Sequence, residues 1–452
     1  MHKELIIPED FQKIIKDLLG NESLSFFESL HSVSPSSIRL HPHKNYEAKN
    51  STNIPWTKWG KYLETRPVYT LDPSLHAGAY YVQEPSSMFL EQAVKAANVI
   101  DQPIMVLDVC AAPGGKSTHL LSLLHPDSLL VSNEVIRSRA SILTENIQKW
   151  GYPNVMVTNN DPSHFSKLEG MFDLIVVDAP CSGEGLFRKD NDALNEWSLS
   201  NVELCALRQR RILKDVWPAL KQGGVLIFST CTYNTKEDEE TMEWLSETGK
   251  CEFLSIPVQP DWGIVETTFK QTIGYRFYPH KVKGEGFFIA AVRKLDPEND
   301  VRLHTKYALG DKCKNEEISQ WLEDPSQYKF FSIKGQINAV PLCNYEKINY
   351  LSNKLNSILI GIPLATDKHG KLVPEHGAAL SISLNKNNFI KVALTLEQAI
   401  LYLRKEPIEI SSNEKGFVLL TYKGNALGWV NLLPNRINNL YPSNWRIRMK
   451  AQ

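Results

Sequence analysis

Residues Val106 to His119 read V-L-D-V-C-A-A-P-G-G-K-S-T-H. The apolar run ends at Asp108, a turn with Gly114 and Gly115 follows, and polar residues typical of a helix start come next. This order predicts a buried strand, a tight turn and a helix. Glycine allows a positive φ and the close approach of a ligand, and the N–H groups of the helix start point into the space beyond the strand. The sequence therefore predicts a cofactor site at this turn.

Two phosphate-binding motifs are absent from this turn. The chain has neither the dinucleotide pattern G-x-G-x-x-G nor the phosphate loop G-x-x-x-x-G-K-[ST] here. A short turn behind an acidic strand end suits a ligand with a cationic amino-acid end, and S-adenosylmethionine is such a ligand. A plain strand-to-helix turn without a ligand is the alternative.

Length and composition describe an ordinary globular protein. The 452 residues predict about three domains, with 42% hydrophobic and 22% charged residues. The formal net charge of -1 does not indicate a nucleic-acid binder, so any basic surface must be local. The first residues lack a signal-peptide core, and apolar runs such as Leu174 to Val177 are short. We expect a cytoplasmic monomer without a membrane span.

The cysteines favour individual roles. The chain has seven cysteines and no C-x-x-C pair. This spacing argues against a zinc site and against a disulfide framework, so no metal is expected.

The middle of the chain alternates between buried strands and helices. Strands are predicted at 104–108, 129–133, 154–158, 172–177 and 224–229. Helices are predicted at 116–124, 137–150, 200–220 and 237–247. This alternation predicts an α/β fold with a doubly wound sheet, in which ligands bind beyond the carboxyl ends of the strands.

The predicted strand ends carry reactive or polar residues. Glu134 closes the second strand, where a carboxylate can accept hydrogen bonds from ribose hydroxyls, and Asp161 follows the third, for the amine of an adenine. The fourth strand ends in D-A-P-C-S-G-E-G at 178–185 and the fifth in S-T-C-T-Y-N at 229–234. Single acids at such places are as often turn or helix caps. Four strand ends in register with a glycine turn predict a site.

The two ends of the chain differ from this core in composition and in their hydrophobic pattern. An amphipathic helix is predicted from Glu9 to Leu19 and a second at 26–30. Aromatic and basic residues then interleave, either to bind RNA or as a small aromatic core with a solvated rim. These residues are Trp56, Trp59, Tyr62, Tyr69, Tyr80 and Tyr81, with Lys58, Lys61, Arg66 and His76.

Beyond Leu295 we predict a linker at 296–316 and a β-rich segment at 328–384. A helix near 395–404 and strands at 416–422 and 426–433 follow. The last residues are basic and aromatic, which suits RNA or describes an ordinary basic tail. They include Arg436, Tyr441, Trp445, Arg446, Arg448 and Lys450.

Cys181 and Cys231 stand at neighbouring predicted strand ends and suggest covalent catalysis. If the cofactor is a methyl donor, such a pair of thiols suits the methylation of cytosine at carbon 5. This carbon is by itself a poor nucleophile. A thiolate that adds to carbon 6 makes an enamine, so that carbon 5 can accept a methyl group, and a base then removes the carbon-5 proton as the thiol leaves. Asp178, predicted to be buried at its strand end and therefore to be protonated or to share a proton, would contact N3 and the exocyclic amine.

The motifs D-V-C-A-A-P-G-G-K, D-A-P-C-S-G-E-G and S-T-C-T-Y-N, in this order, resemble the Nop/Sun family of RNA cytosine-C5 methyltransferases. The resemblance covers roughly 76–295 and includes H-A-G-A-Y-Y-V-Q-E-P-S-S-M at 76–88. It implies that Cys231 of the T-C-T motif is the nucleophile and that Cys181 of the P-C motif helps to release the product. DNA cytosine methyltransferases use the P-C cysteine instead, so the resemblance favours RNA.

The resemblance also implies a Rossmann-like class I methyltransferase fold that binds S-adenosylmethionine. It assigns to the cofactor Cys110, Ala111, Ala112, Pro113, Gly114, Gly115, Lys116, Glu134, Asp161 and Asp178. Arg139 and Asn146 recur in the family pattern, and we expect them to be structural because helix residues that face the sheet usually brace it.

The flanks resemble the bacterial branch of this family, which acts on small-subunit ribosomal RNA. The C-terminal residues 416–436 look like its PUA-like RNA-binding end, and Ser37 to Arg39 fit its N-terminal pattern, although His41 stands where asparagine is common. We therefore predict an N-terminal α+β RNA-binding extension at 1–100 and a methyltransferase domain at 101–295. A linker with a β-rich segment at 296–385 and a PUA-like domain at 386–452 follow.

Together these features predict methylation of cytosine C5 in small-subunit (16S) ribosomal RNA, free or in an assembling small subunit. The same chemistry on transfer RNA is an alternative. An RNA-binding assembly factor without turnover, and methylation of DNA or of a protein side chain, are others.

Overall fold

The computed structural model describes residues 7–297, 307–313, 317–410 and 414–449. The chain begins with helices α1 (Glu9–Leu19) and α2 (Ser23–Leu30). The first has the predicted bounds, and the second begins three residues before the predicted 26. Phe11 and Phe26 are fully buried and pack against Tyr233 of the central domain.

Four short strands form an antiparallel sheet in the order β2-β3-β1-β4. They are β1 (Ser36–Leu40), β2 (Ser51–Asn53), β3 (Gly60–Leu63) and β4 (Tyr80–Val82), with α3 (Pro73–His76) before β4 and α4 (Leu90–Ala97) after it. Trp56, Tyr62 and Tyr80 are at most 6% exposed. For these three aromatic residues the core interpretation is therefore correct, because their rings face the protein interior.

The central domain alternates strands and helices as predicted. Its elements are β5 (Met105–Asp108), α5 (Gly115–Leu123), β6 (Leu129–Asn133), α6 (Arg137–Trp150), β7 (Val155–Thr158), β8 (Phe172–Asp178), α7 (Asn191–Glu196), α8 (Leu199–Val216), β9 (Leu220–Thr230) and α9 (Glu239–Thr248). It continues with β10 (Cys251–Phe253), β11 (Val265–Phe269), β12 (Thr272–Phe277) and β13 (Phe287–Lys294).

The strands β9-β8-β5-β6-β7 are parallel neighbours. Strand residues alternate between the two faces of a sheet. Val106 therefore packs in the cluster that contains Leu120 of α5, and Leu107 in the cluster that contains Leu213 of α8. Helices on both faces of a parallel sheet confirm the predicted doubly wound α/β class.

The first four predicted strands differ from the observed ones by at most one residue at each end. The fifth, β9, begins at Leu220 rather than at 224, and the helix predicted to run to 220 ends at Val216. Pro218 explains this difference, because a proline lacks the N–H that would continue the helix, and residues Trp217–Ala219 form a 3-10 turn.

The segment after the central domain is rich in strands. It contains β14 (Asp311–Lys312), β15 (Tyr328–Ile333), β16 (Gln336–Pro341), α10 (Tyr345–Ser352), β17 (Ser357–Ile360), β18 (Ile362–Lys368), β19 (Lys371–Pro374) and α11 (His376–Leu380). Five of these strands form a sheet in the order β14-β15-β16-β18-β19, whereas β17 pairs antiparallel with β7 at the edge of the central sheet. Most of the predicted linker at 296–316 lies outside the described residues.

The C-terminal unit is a four-stranded sheet with one helix. It contains β20 (Ile390–Ala393), α12 (Leu396–Arg404), β21 (Gly416–Tyr422), β22 (Asn425–Leu433) and β23 (Arg436–Asn439). Thr395 and Gln398 form a capping box at the start of α12. In the tail Tyr441 is buried, Arg446 and Arg448 are exposed, and Lys450 lies outside the described residues. None of the described helices has the length and apolarity that a membrane span requires.

Candidate active site

The predicted cofactor turn joins β5 to α5. Gly114 has a φ of +113°, a conformation that favours glycine, and a Cβ there would lie 3.2 Å from Leu143 Cδ1. Two side chains of α6 hold the turn: Arg139 Nη2 donates to the Ala112 carbonyl at 2.8 Å, and Asn146 Nδ2 donates to the Pro113 carbonyl at 2.8 Å. Arg139 and Asn146 therefore brace the turn itself rather than the sheet alone.

Arg39 holds the same turn from the other side. It is fully buried, its Nη2 donates to the Gly115 carbonyl at 3.3 Å and to Thr118 Oγ1 at 2.5 Å, and its Nε donates to Gln83 Oε1 at 2.7 Å. Burial lowers the pKa of Arg39 to about 9. His41 is also buried, with Nε2 2.9 Å from the Trp150 carbonyl. Both residues of the N-terminal pattern are thus structural and do not face solvent.

A cavity of about 680 Å³ opens beyond the carboxyl ends of the parallel strands, at the place predicted for ligands. Its volume is typical of a small-molecule site. The predicted site residues that line it are Cys110, Ala112, Lys116, Glu134, Asp161, Asp178, Cys181 and Cys231. Of the remaining four, Ala111, Pro113 and Gly114 lie in the turn between β5 and α5, and Gly115 is the first residue of α5.

Glu134 offers a buried acceptor to this cavity. Its side chain is 2% exposed, Oε1 accepts a hydrogen bond from the Ile136 N–H at 2.9 Å, and Oε2 lies 3.5 Å from Arg139 Nη1. Within the described ranges Oε2 accepts no hydrogen bond. Buried carboxylate oxygens are ordinarily hydrogen-bonded, so this atom is suited to a ligand hydroxyl.

Asp161 also lines the cavity, but its oxygens already have partners. Oδ1 accepts from the Ser163 N–H at 3.1 Å, and Oδ2 forms an ion pair with Arg211. Partial burial opposes ionisation, but the hydrogen bonds from Ser163 and Arg211 outweigh it and lower the pKa of Asp161. A ligand amine at this position would therefore share the Asp161 carboxylate with Ser163 and Arg211.

Asp178 faces the cavity as the last residue of β8. Its Oδ1 accepts from Ser229 Oγ at 2.8 Å and lies 2.8 Å from Lys116 Nζ. The predicted burial of Asp178 is wrong, since its side chain is 37% exposed. The reason is its position at the strand end, where the sheet stops and the open cavity begins. Lys116 Nζ also lies 5.2 Å from the centre of the Phe287 ring.

The two predicted thiols meet in this cavity. Cys181 Sγ and Cys231 Sγ are 3.0 Å apart although 50 residues separate them in the chain. They follow β8 and β9, which pair in parallel with Asp178 opposite Ser229. The hydrogen bond with Cys231, together with burial, raises the pKa of Cys181 well above its ordinary value. Burial likewise raises the pKa of Cys110 beside the turn.

Glu184 fixes the loop that carries Cys231. Its side chain is fully buried between the two loops. Oε2 accepts from Thr232 Oγ1 at 2.6 Å and from the N–H groups of Tyr233 and Asn234 at 2.8 and 3.0 Å. Oε1 accepts from Trp197 Nε1 at 3.0 Å and from Asn234 Nδ2 at 2.9 Å. One carboxylate of the D-A-P-C-S-G-E-G motif therefore holds the S-T-C-T-Y-N motif in place.

The backbone of the two loops is in direct contact at Gly185. Its N–H donates to the Cys231 carbonyl at 2.8 Å. A Cβ on Gly185 would lie 2.4 Å from the Gly286 carbonyl oxygen and 3.0 Å from the Cys231 carbonyl oxygen. Only glycine fits such an approach. Gly286, in the segment G-E-G-F-F at 284–288, thus packs against both cysteine loops.

Glu237 ties α8 to the Cys181 loop. Its Oε2 accepts from the Ser182 N–H at 2.9 Å and from Gln209 Nε2 at 3.0 Å. Gln209 Nε2 also donates to the Pro180 carbonyl at 3.1 Å. Burial raises the pKa of Glu237 to about 7. Sequence reasoning did not single out Glu184, Glu237 or Gln209, because the partners named here lie 13 to 55 residues away.

We expect Glu184→Gln to destabilise the protein by about 2–4 kcal/mol, because an amide N–H group would face donors that now bind a buried carboxylate. Chemical denaturation of both proteins measures the difference. Glu203→Gln is the matched control: Glu203 lies on α8, is exposed and, within the described part of the chain, pairs only with Lys236, so the expected change is within about 0.5 kcal/mol. Equal stabilities of the two variants would show that the Glu184 carboxylate does not stabilise the loop that carries Cys231.

Three family models match the chain. The 16S rRNA methyltransferase RsmB/F model matches residues 98–293. The model for the N-terminal domain of 16S rRNA methyltransferase RsmF matches 7–85, and the methyltransferase RsmF PUA domain matches 389–447. The matched ranges include the N-terminal sheet, the central sheet with its cavity, and the C-terminal sheet.

Solved structures share the fold. A methyltransferase homolog protein from Pyrococcus horikoshii has 26% sequence identity and a TM-score of 0.55, and the match covers 64% of this chain and 96% of that one. NSun6 from the same organism, solved with SFG, has 20% identity and a TM-score of 0.55 over 64% of this chain and 98% of that one. The second likeness shows the fold alone.

Curated relatives match along most of the chain. Ribosomal RNA small subunit methyltransferase F of Aliivibrio salmonicida is 30% identical over 475 residues, which cover 98% of each protein. The protein of the same name from Psychromonas ingrahamii is 31% identical over 416 residues, which cover 86% of this chain and 84% of that protein. The chain therefore belongs to the RsmB/F family of 16S rRNA methyltransferases and has the N-terminal and PUA domains of the RsmF type.

Proposed function

We propose that the protein transfers a methyl group from S-adenosylmethionine to C5 of a cytosine in small-subunit ribosomal RNA. The observation that carries this proposal is the 3.0 Å approach of Cys181 Sγ to Cys231 Sγ in the cavity that also contains Asp178 and the β5–α5 turn. Methylation at cytosine C5 calls for a nucleophile and for a second group that frees the product. Two thiols in contact at one cavity provide both.

The residues of the cavity fit S-adenosylmethionine. Glu134 Oε2 is a buried acceptor without a hydrogen bond in the described structure, as ribose hydroxyls would require. Lys116 and Asp178, 2.8 Å apart, present opposite charges to the amino-acid end of the cofactor. The residues from Cys110 to Gly115 and Asp161 complete the proposed site. When bound, the cofactor supplies the methyl group as an electrophile.

Cys231 is proposed to attack the base. Its Sγ gives up its proton and forms a bond to C6, the electron pair of the C5–C6 double bond moves so that C5 becomes nucleophilic, and N3 takes up a proton that Asp178 passes to it. Asp178 is the group assigned to N3, held in place by Ser229 and Lys116. The choice of Cys231 over Cys181 follows the family pattern, in which the cysteine of the T-C-T motif is the nucleophile and that of the P-C motif is not.

Cys181 is proposed to act after C5 has been methylated. At that stage C5 carries both the methyl group and its original proton. A base takes up this proton and N3 returns its own, the electron pair of the C5–H bond restores the C5–C6 double bond, and the Cys231 Sγ–C6 bond breaks with its electron pair left on the sulfur. Cys181 Sγ lies 3.0 Å from the sulfur that must leave, so it is placed to assist this step.

The flanking units are proposed to bind the RNA. Residues 1–100 would form an RNA-binding extension beside the methyltransferase domain at 101–295, and 386–452 a PUA-like RNA-binding domain. The C-terminal unit exposes Arg436, Arg446 and Arg448, which suits phosphate contacts. The relatives named as small-subunit rRNA methyltransferases support ribosomal RNA rather than transfer RNA or DNA.

We expect the purified protein with radiolabelled S-adenosylmethionine to label a 16S ribosomal RNA transcript or the small subunit. The label should be recovered as 5-methylcytidine after nuclease digestion. Transfer RNA and duplex DNA, at equal cytosine content, serve as controls and should stay unlabelled. Label on a different base, or on transfer RNA alone, would overturn the proposal. Bisulfite sequencing of RNA from cells that lack the protein would then identify the cytosine.

A further inference from the structure

Helix α8 presents an exposed arginine to the cavity. Arg208 lines the cavity together with Cys181, Leu186 and Cys231, and its side chain is exposed to solvent. The cofactor assignments do not use it. An arginine at the mouth of a site proposed to accept RNA can bind an anionic group of that ligand.

The other cations of this cavity are already neutralised. Lys116 pairs with Asp178, Arg139 with Glu134, and Arg211 with Asp161. Among the described residues, Arg208 forms no ion pair with a carboxylate and no hydrogen bond. One positive charge of the cavity wall is therefore left for a ligand.

The helix turn that carries Arg208 is held to the Cys181 loop by its neighbour Gln209. The next residue, Gln209, is fully buried, and its Nε2 donates both to the Pro180 carbonyl at 3.1 Å and to Glu237 Oε2 at 3.0 Å. Pro180 directly precedes Cys181. The helix turn that carries Arg208 is thus bonded to the loop that carries one of the two sulfurs.

Exposed leucines flank Arg208 on the same helix. Leu204 is 61% and Leu207 is 63% exposed, four residues and one residue before Arg208. Positions i and i+4 lie on one face of a helix. The apolar side chain of Leu204 can contact the sugar or the base of a neighbouring nucleotide, while the guanidinium binds the phosphate.

We propose that Arg208 binds a backbone phosphate of the RNA strand next to the nucleotide whose base enters the cavity. This proposal rests on the proposed function, because it takes RNA as the substrate. A guanidinium offers five N–H donors in a planar fork that matches two phosphate oxygens. Such a contact carries no sequence information and fixes the position of the strand over the thiols.

Equilibrium binding of RNA tests this proposal without methyl transfer. We expect Arg208→Gln to weaken binding of both a 16S ribosomal RNA transcript and poly(U) by about tenfold, since a charged hydrogen bond is lost. Between about 50 and 200 mM potassium chloride, the slope of log affinity against log salt should fall by about 0.7, the value for one phosphate contact with a single strand. Arg208→Lys should recover part of both effects.

Lys214→Gln is the matched control. Lys214 is exposed on the same helix and does not line the cavity. Its replacement by glutamine also removes one positive charge. It should leave the salt slope unchanged. The dissociation constant of S-adenosylmethionine should be the same in all variants, because Arg208 is not assigned to the cofactor.

Three results would overturn the phosphate contact. They are an unchanged salt slope in Arg208→Gln, a loss confined to the 16S transcript, and a weaker affinity for S-adenosylmethionine. Failure of the proposed function is a separate result. It would appear as an absence of 5-methylcytidine with the parent protein, whereas the binding slopes would still decide whether Arg208 meets a phosphate.

Discussion

Replacement of Cys231 by alanine is expected to abolish methyl transfer, with a loss of at least ~10³-fold in turnover. Without the thiolate, C5 of the cytosine has no route to become nucleophilic. Cofactor binding should persist, because the assigned cofactor residues, which are Cys110 to Lys116, Glu134, Asp161 and Asp178, do not include Cys231. Transfer of radiolabel to RNA and calorimetric titration with S-adenosylmethionine measure the two properties separately.

Cys251→Ala is a suitable control for this experiment. Cys251 is a partly buried free cysteine in β10 and does not line the cavity. Its replacement should leave turnover within about twofold of the parent. Normal turnover in Cys231→Ala would remove Cys231 from the nucleophile role, and the P-C cysteine would become the candidate.

Replacement of Cys181 by alanine should trap the enzyme on its substrate. Cys231 can still attack C6, but the group placed 3.0 Å from its sulfur is lost and the adduct should not resolve. We expect a covalent protein–RNA species that survives denaturing electrophoresis, and multiple-turnover methylation reduced by about 100-fold or more. Ribonuclease treatment should return the shifted band to the mobility of the free protein.

The double variant Cys181→Ala with Cys231→Ala provides the control for trapping. It should form no adduct, since the attacking sulfur is absent. If Cys181→Ala forms no adduct with an RNA that the parent protein methylates, then Cys181 has no part in product release. Melting temperatures close to that of the parent would show that any loss of turnover does not arise from unfolding.

Much of the central fold could be predicted because its signals are local. Helix α1 has the predicted bounds, α6 coincides with the predicted 137–150, and the first four strands agree to within one residue. In each case the hydrophobic period, an N-terminal acid or a terminal glycine marks the element. The order of strands and helices then leaves few topologies for a parallel sheet.

Other features could not be predicted because they depend on distant partners. Strand β17 joins the central sheet through β7, about 200 residues earlier in the chain. Arg39 belongs to the N-terminal sheet but holds Gly115 of the cofactor turn. The aromatic side chains of Trp56 and Tyr80 suited both base stacking and a core, and only their burial decides between the two.

The residues from Val106 to His119 and the two cysteine motifs determine, within the sequence, a strand–turn–helix unit and the reactive groups at its strand ends. These are properties of short stretches, in which backbone preferences and side-chain chemistry can be read directly. The tertiary structure decides that Cys181 and Cys231 lie 3.0 Å apart, that Glu184 holds the second loop and that Asp178 remains half exposed. The contact between the two cysteine loops follows from the pairing of β8 with β9, because residues some 50 positions apart meet only when the sheet sets their register. The exposure of Asp178 follows from its place at the end of β8.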